Sequence, residues 1–204
     1  TTTTTKTTTT TKTTTATTPE APTGPTGTLT AANVDFGYES MDPIFYESTW
    51  GWAFYDSLLR YDENGQYIPG VADSWSFDVD TNTWTFKIHQ GIKFHNGDPL
   101  TAHDVKFTVD RFSDMSQSSN PWSYYISKEY NQVETRVVDD YTFQFVSAHP
   151  EPAQQIVFAW TRILPKDYFE SVGQEGFRAE PIGSGPWMVD EFVSETKLVL
   201  KANT

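Results

Sequence analysis

The sequence predicts an α+β fold, with helices mixed among antiparallel strands, on three observations. Apolar and polar residues alternate in short segments separated by turn dipeptides, which is typical of antiparallel strands. A capping-box sequence opens an amphipathic helix at residues 101–112. The strand segments come in clusters and do not alternate one by one with helices, so a regular parallel α/β arrangement is not expected.

The first folded elements are predicted after residue 28. Residues 29–34 predict a short strand, and residues 48–59 predict a helix because apolar side chains recur there at near-helical spacing. The dipeptide Asn64-Gly65, flanked by strand formers, predicts a hairpin. Two further strands are predicted at residues 73–77 and 83–89.

The second of these strands is predicted to be half-buried. Trp84, Phe86 and Ile88 share one face, and polar side chains share the other. We expect Trp75, Trp84 and Phe86 to be core residues.

The next predicted helix has a clear start. Thr101 is the expected N-cap, and Asp104 is placed to reach back to the free backbone amide. Val105, Val109 and Phe112 fall on one face and are expected to point to the core. A polar loop over residues 113–123 follows. The remaining elements are predicted as a hairpin of residues 133–138 and 141–146, helices at 153–159 and 166–173, and a strand at 197–201.

Residues 1–28 have the composition of a disordered linker. The first 18 are threonine apart from two lysines and one alanine, and residues 19–27 read PEAPTGPTG. Short polar side chains cannot bury a core, and Pro and Gly interrupt regular elements. Thr/Pro-rich stalks typically space a domain from a surface outside the cell and are common O-glycosylation substrates; the alternative is a cytosolic low-complexity tail.

Composition and charge narrow the class of protein. The chain has 204 residues, 15% of them aromatic, enough for a sizeable buried core. Its formal net charge of −13 repels phosphate backbones and anionic lipid, so we expect no nucleic-acid partner and no membrane insertion by the folded part.

The lack of cysteine excludes disulfides and thiol catalysis. We find no membrane-length apolar run and no signal segment, and expect any targeting peptide to have been removed or never included.

Four motifs resemble one known family. Residues 65–112 read GQYIPGVADSWSFDVDTNTWTFKIHQGIKFHNGDPLTAHDVKFTVDRF and resemble the family 5 extracellular solute-binding proteins. MDP at 41–43, ILPKDYFE at 163–170 and PIGSGPW at 181–187 resemble further family motifs in the same order. The chain departs from the pattern at His89, where arginine is common, and it stops where family members continue.

The resemblance implies a fold and a function. The fold is a periplasmic-binding-protein-like type II lobe with an inserted antiparallel-strand subdomain, the second lobe being absent. Residues 29–60 and 160–204 would form parts of lobe one, and residues 61–159 the inserted subdomain. The function implied is non-covalent capture of a solute, most simply a peptide, for an ABC permease, by a monomeric protein outside the cytoplasm that is tethered to the membrane through the linker. No cofactor is expected.

The resemblance and the aromatic content together indicate candidate site residues. Aromatic side chains in predicted loops suit a cleft wall, since they offer flat apolar surface with a polar tip. The candidate ligand-binding residues are Tyr38, Tyr46, Trp50, Trp122, Tyr124, Tyr125 and Trp187. The candidate structural turn residues are Asp42, Pro43, Gly97, Asp98, Gly183, Gly185 and Pro186.

Other functions remain as alternatives. Within the family these are an oligosaccharide binder or a nickel-chelate binder, and outside it a secreted hydrolase. The four histidines, at 89, 95, 103 and 149, lack metal-ligand spacing and are interpreted as surface or turn residues. We find no nucleophile elbow, Walker loop or zinc-helix motif.

Overall fold

A computed structural model describes residues 41–45, 51–193 and 196–203 of the chain. In chain order the elements are α1 (Gly51–Phe54), β1 (Leu59–Tyr61), β2 (Tyr67–Pro69), β3 (Ala72–Asp78), β4 (Thr83–Ile88), α2 (Ala102–Ser113), the 3-10 helix η1 (Pro121–Ile126), β5 (Gln132–Asp139), β6 (Thr142–Ser147), α3 (Ala153–Trp160), α4 (Lys166–Ala179), β7 (Trp187–Val193) and β8 (Lys197–Ala202). The predicted strand at 29–34 and the linker at 1–28 lie outside the described residues.

All strand pairs in the described part are antiparallel. The central sheet has four strands in the order β3-β4-β6-β5, and β1-β2 and β7-β8 form two separate hairpins. The hairpin predicted from Asn64-Gly65 is confirmed, with Gly65 at φ 75° in the turn. The predicted hairpin of β5 and β6 is confirmed as well.

The inner face of the central sheet forms the larger core. Trp84, Phe86 and Ile88 are buried on β4, as their alternation predicts, and Phe143 and Phe145 are buried on β6. The predicted inner face of α2 packs on this sheet, and Trp75 on the edge strand is partly buried against it. This sheet and its helices form one layer of strands covered by one layer of helices.

A smaller core lies next to α4. Its buried members include Met41, Phe54, Leu164, Phe169 and Phe177, and side chains of β7 and β8 pack against them. Helix α4 continues to Ala179, past the predicted end, through a kink at Gly173, whose φ of 69° is readily available to glycine. No helix in the described ranges is both long enough and apolar enough to cross a membrane.

Two predicted elements were wrong in part, and one strand was not predicted. Residues 55–59 do not continue α1, because Leu59 begins a strand that pairs with β2, so sheet pairing overrides the helical spacing; residues 48–50 lie outside the described part. The predicted loop at 121–123 belongs to η1. Strand β7, which was not predicted, pairs with the predicted strand β8.

Candidate ligand-binding surface

Helix η1 carries three of the candidate aromatic residues. Asn120 caps it, with its Oδ1 accepting a hydrogen bond of 3.1 Å from the Trp122 amide, and Pro121 occupies the first turn, where its missing N–H has no cost. Ser123 and Ile126 are buried on the inner face. The sequence therefore folds locally into a short helix that holds its aromatic side chains in fixed positions.

Four aromatic side chains cluster around η1, and we call them the aromatic platform: Trp122, Tyr124, Tyr125 and Tyr130. Ring centroids of Tyr124 and Tyr130 are 4.5 Å apart, those of Tyr124 and Tyr125 5.9 Å, and those of Trp122 and Tyr125 6.1 Å. Tyr124 is 47% exposed, whereas Trp122 and Tyr125 are half-buried against the larger core. The platform thus combines a packed base with an accessible aromatic edge, which is suited to stacking on an apolar or planar group.

A carboxylate fixes one edge of the platform. The Tyr130 hydroxyl donates a 2.7 Å hydrogen bond to Glu151, whose other oxygen accepts the Ala153 amide at the start of α3. This hydrogen bond to Glu151 raises the pKa of Tyr130. The hydrogen bond from the Ala153 amide has the largest effect on Glu151 and lowers its pKa, and the hydrogen bond from Tyr130 lowers it further. Both groups keep their usual charge states near neutral pH, neutral for the tyrosine and negative for the glutamate.

A buried glutamine connects the platform to the core. Gln154 is fully buried; its Oε1 accepts hydrogen bonds from Trp84 Nε1 at 2.8 Å and Ser147 Oγ at 3.0 Å. Its Nε2 donates to the Tyr125 carbonyl oxygen at 3.5 Å. This residue was not predicted, because a glutamine in a predicted helix carries no signal of burial until the sheet is packed against it.

Residues 181–187 run close beneath the end of α1. A Cβ added at Gly183 would lie 1.9 Å from the Phe54 carbonyl oxygen, and one at Gly185 would lie 2.7 Å from the Phe54 carbonyl carbon. Neither glycine has a positive φ. A side chain is excluded at these positions because the Phe54 backbone lies so close, and not because of the turn conformation. Gly97, by contrast, does have a left-handed φ of 91°.

The remaining candidate residues are not members of the aromatic platform. Trp187 is the first residue of β7 and is 39% exposed, in a hairpin separate from the central sheet. Asp42 and Pro43 are buried in the segment at 41–45, and Asp98 is exposed beside Asn96. Tyr38, Tyr46 and Trp50 lie outside the described residues. Of the candidate ligand-binding residues in the described ranges, only the three of η1 therefore lie together.

A second exposed aromatic group was not predicted. The rings of Trp52 on α1 and Trp160 at the end of α3 are 5.3 Å apart, and the Arg162 guanidinium carbon lies 3.5 Å from the Trp52 ring centroid. Beside them burial raises the pKa of Tyr61 to about 12. Trp52 does not share the apolar face that the helical spacing of residues 48–59 predicts. Its position in the sequence was therefore a signal for its 40% exposure.

The histidines have separate environments. His89 Nδ1 lies 2.8 Å from Asp73, and His103 Nε2 lies 3.6 Å from Asp140, both at the surface. His95 is half-buried against Gly183 and Gly185, so its interpretation as a surface or simple turn residue was incomplete. Within the described ranges, no three His, Cys, Asp or Glu side chains converge as metal ligands would.

A groove of about 470 Å³ runs along the outer face of α2. Its walls carry Lys106, Arg111, Lys128 and Lys166, an unusual concentration of cations in an acidic chain. Most of this charge is compensated, because Lys106 pairs with Asp110, Arg111 with Asp42, and Lys166 with Asp167 and Glu170. None of the aromatic platform lines this groove.

Comparison with known proteins places the chain among solute-binding proteins. Residues 66–204 match the family model described as "Bacterial extracellular solute-binding proteins, family 5 Middle". The chain is 28% identical over 176 residues to the periplasmic oligopeptide-binding protein OppA of Haemophilus influenzae, covering 77% of this chain and 32% of that protein. It is 28% identical over 159 residues to the dipeptide-binding protein of Escherichia coli, covering 67% of this chain and 29% of that protein.

Solved structures show the same similarity. The H. influenzae OppA complex with the peptide RPPGFSPFR aligns with a TM-score of 0.71 and 25% identity, over 81% of this chain and 36% of that one. The binding protein MoaA of A. tumefaciens R10, in complex with mannopinic acid, aligns with a TM-score of 0.71 and 25% identity, over 83% of this chain and 35% of that one. The chain thus spans about a third of the length of these proteins.

Proposed function

Because the chain belongs to the family 5 bacterial extracellular solute-binding proteins, we propose that it forms part of a protein that captures a peptide non-covalently and delivers it to an ABC permease. The observation that carries this proposal is the 28% identity, over 176 residues, to a protein named as oligopeptide-binding. Capture by such a protein occurs as two lobes close around the ligand, and the closed form docks on the permease. No bond in the ligand is made or broken.

The aromatic platform supports a role in the wall of the ligand cleft. Tyr124 presents an exposed ring, while Trp122 and Tyr125 are held by packing, so that ligand contact needs little ordering of side chains. Trp187 and the residues around the segment at 41–45, namely Tyr38, Tyr46 and Trp50, remain proposed ligand contacts.

The two cores support a subdivision of the lobe. The central sheet, α2 and all of α3 except Trp160 lie within the proposed inserted subdomain, residues 61–159, and the larger core also takes in Ile44, Leu58, Leu59 and Ile163 from outside it. The smaller core combines residues from before and after that span, as expected if residues 29–60 and 160–204 together belong to lobe one. We further propose an extracytoplasmic location, a monomeric state and a tethering role for residues 1–28, on the basis of the relatives' periplasmic names and the composition of the linker.

One observation favours a second candidate ligand. A structure of equal similarity holds mannopinic acid in place of a peptide, so this fold accepts small solutes other than peptides. A small hydroxylated acid is therefore the alternative ligand class.

Nuclear magnetic resonance can test these candidates even when binding is weak. We would titrate the chain with trialanine, Ala-Phe-Ala, mannopinic acid, cello-oligosaccharides and a nickel–histidine chelate, and follow the indole N–H signals of the tryptophans. Peptide is expected to shift the Trp122 signal while the signal of Trp75, on edge strand β3, stays in place. A single wall leaves much of the ligand in water, so we expect Kd values of about 0.1 mM or weaker.

Substitution then identifies the surface. Tyr124→Ala is expected to weaken peptide binding about fivefold while changing the unfolding free energy by less than about 1 kcal/mol, because the ring is exposed. Trp75→Phe serves as the control. Shifts with mannopinic acid but not with peptide would replace the peptide by the alternative ligand, and hydrolysis of any titrant, seen by mass spectrometry, would contradict the binding function.

A further inference from the structure

The segment at residues 41–45 is buried although it forms no regular element. Met41, Asp42 and Ile44 are 6%, 0% and 1% exposed. The Tyr55 hydroxyl donates a 2.6 Å hydrogen bond to the Met41 carbonyl oxygen, which fixes the segment to the residue that follows α1. A buried irregular segment requires such partners for its backbone groups. The Phe45 amide donates to the Asp42 carbonyl oxygen at 3.2 Å within the segment, and the residues before η1 supply the donors for Ile44.

Arg111, in the last turn of α2, binds Asp42 through both terminal nitrogens of its guanidinium group. Nη1 donates to Oδ1 at 3.2 Å and Nη2 donates to Oδ2 at 2.9 Å. The guanidinium carbon also lies 3.9 Å from the ring centroid of Phe169 on α4. A bidentate pair sets direction as well as distance, so the carboxylate has a fixed orientation relative to two helices.

The same carboxylate is linked to the backbone of Ile44. Asp42 Oδ1 accepts the Ile44 amide at 3.4 Å. The Ile44 carbonyl oxygen in turn accepts hydrogen bonds from Ser118 Oγ at 2.8 Å, from the Ser119 amide at 3.2 Å and from the Asn120 amide at 3.3 Å. Asn120 is the residue that caps η1. A continuous set of contacts therefore runs from the Arg111 guanidinium to the first residue of the aromatic platform.

We propose that Arg111 and Asp42 are positioning residues for the aromatic platform. Their ion pair holds the Ile44 carbonyl oxygen at the place where it receives the three donors before η1, and so sets where η1 begins and where Trp122 and its neighbours lie. The consequence for ligand binding rests on the proposed function, whereas the structural coupling does not.

Hydrogen exchange tests the coupling without any ligand. We would compare amide exchange in the wild-type chain, in Arg111→Gln and in Arg111→Lys. Arg111→Lys keeps the positive charge but cannot donate two parallel hydrogen bonds to the carboxylate. It serves as the milder change if Arg111→Gln does not fold. The Ser119 and Asn120 amides are expected to exchange at least tenfold faster in the variants, while the amides of β4 change much less, since local opening is distinct from global unfolding.

A matched control separates positioning from simple loss of stability. Val109→Ala removes buried apolar volume from the same helix without touching the ion pair, and it should raise exchange evenly across the core. Equal acceleration at Ser119, Asn120 and β4 in the Arg111 variants would overturn the proposal, as would no acceleration at the two amides.

The ligand consequence is measured by the same peptide titration. Arg111→Lys is expected to weaken peptide binding about threefold or more at a temperature where it is fully folded, and Val109→Ala is expected to leave binding unchanged. Faster exchange at Ser119 and Asn120 without any peptide binding in the wild type would sustain the coupling and contradict the proposed function. Equal peptide affinity in wild type and Arg111→Lys would sustain the function and contradict the positioning role.

Discussion

His95 and Gly183 are joined by two hydrogen bonds that run in opposite directions. The His95 amide donates to the Gly183 carbonyl oxygen at 2.8 Å, and the Gly183 amide donates to His95 Nδ1 at 3.2 Å. His95 Nε2 lies 3.0 Å from the Gly185 carbonyl oxygen. Since Nδ1 accepts, the ring is neutral and carries its proton on Nε2, so a second proton on Nδ1 would break the bond from Gly183.

This arrangement predicts that acid weakens the fold through His95. Burial lowers the pKa of His95 below 6.5, outweighing the opposite effects of Gly185 and the Asp56 carboxylate. The unfolded chain therefore binds the proton more readily than the folded one. The contribution of His95 to stability is complete above pH of about 6.5 and is lost as the pH falls from there through the lower pKa of the folded state.

The measurement is urea unfolding of the wild type and His95→Gln between pH 5 and 8. Comparing the two proteins at each pH cancels the other titrating groups. We expect the stability difference in favour of the wild type to be largest above pH 7 and to shrink in acid. A difference that is constant over this range would show that His95 does not titrate with folding.

Gly183→Ala is expected to destabilise the fold by about 3 kcal/mol, because its Cβ would meet the Phe54 carbonyl oxygen at 1.9 Å and backbone must move to relieve the overlap. Gly65→Ala is the control. It has open space around the Cβ but a φ of 75°, and should cost about 1 kcal/mol. Thermal or urea unfolding measures both, and equal costs would contradict the role of close approach.

Gln154→Ala is expected to cost about 3 kcal/mol, because it removes the acceptor of the buried Trp84 indole N–H and Ser147 hydroxyl and leaves a cavity. Gln155→Ala, one residue along the same helix, should change the unfolding free energy by less than about 1 kcal/mol. Because Gln154 also contacts the Tyr125 carbonyl oxygen, near-ultraviolet circular dichroism of the tyrosines should change in the first variant only. Similar stabilities of the two variants would refute the prediction.

Asp104→Ala is expected to cost more than Thr101→Ala. Asp104 Oδ2 accepts the Thr101 amide at 2.9 Å within the capping box, and Oδ1 accepts the Lys166 amide at 2.9 Å, which joins α2 to the start of α4. Loss of the threonine cap costs about 1 kcal/mol, whereas loss of the buried carboxylate removes both links and should cost about 2–3 kcal/mol. Unfolding free energies of the two variants give the comparison. Equal costs would mean that the link to Lys166 contributes nothing.

Local pattern was sufficient to predict much of the fold. The alternation in β4, the capping box of α2 and the Asn64-Gly65 turn depend on neighbours within a few residues, and the structure confirms each one. The family was also predictable, because four motifs in order identify it, and the match over residues 66–204 confirms the resemblance. The aromatic candidates of η1 stay a prediction as ligand contacts, and their 3-10 conformation was not predicted.

The linear sequence, by its short-range spacing and motif order, determined the fold class, most elements and the family of this protein. Only the tertiary structure decided which distant groups meet: Asp42 with Arg111, Gln154 with Trp84, and His95 with Gly183. Each of these pairs is separated by more than 60 residues, and the energy of a buried polar contact depends on the partner that packing supplies. The spacing of residues along the chain does not specify which distant residue that partner is, so these contacts could be identified only from the folded structure.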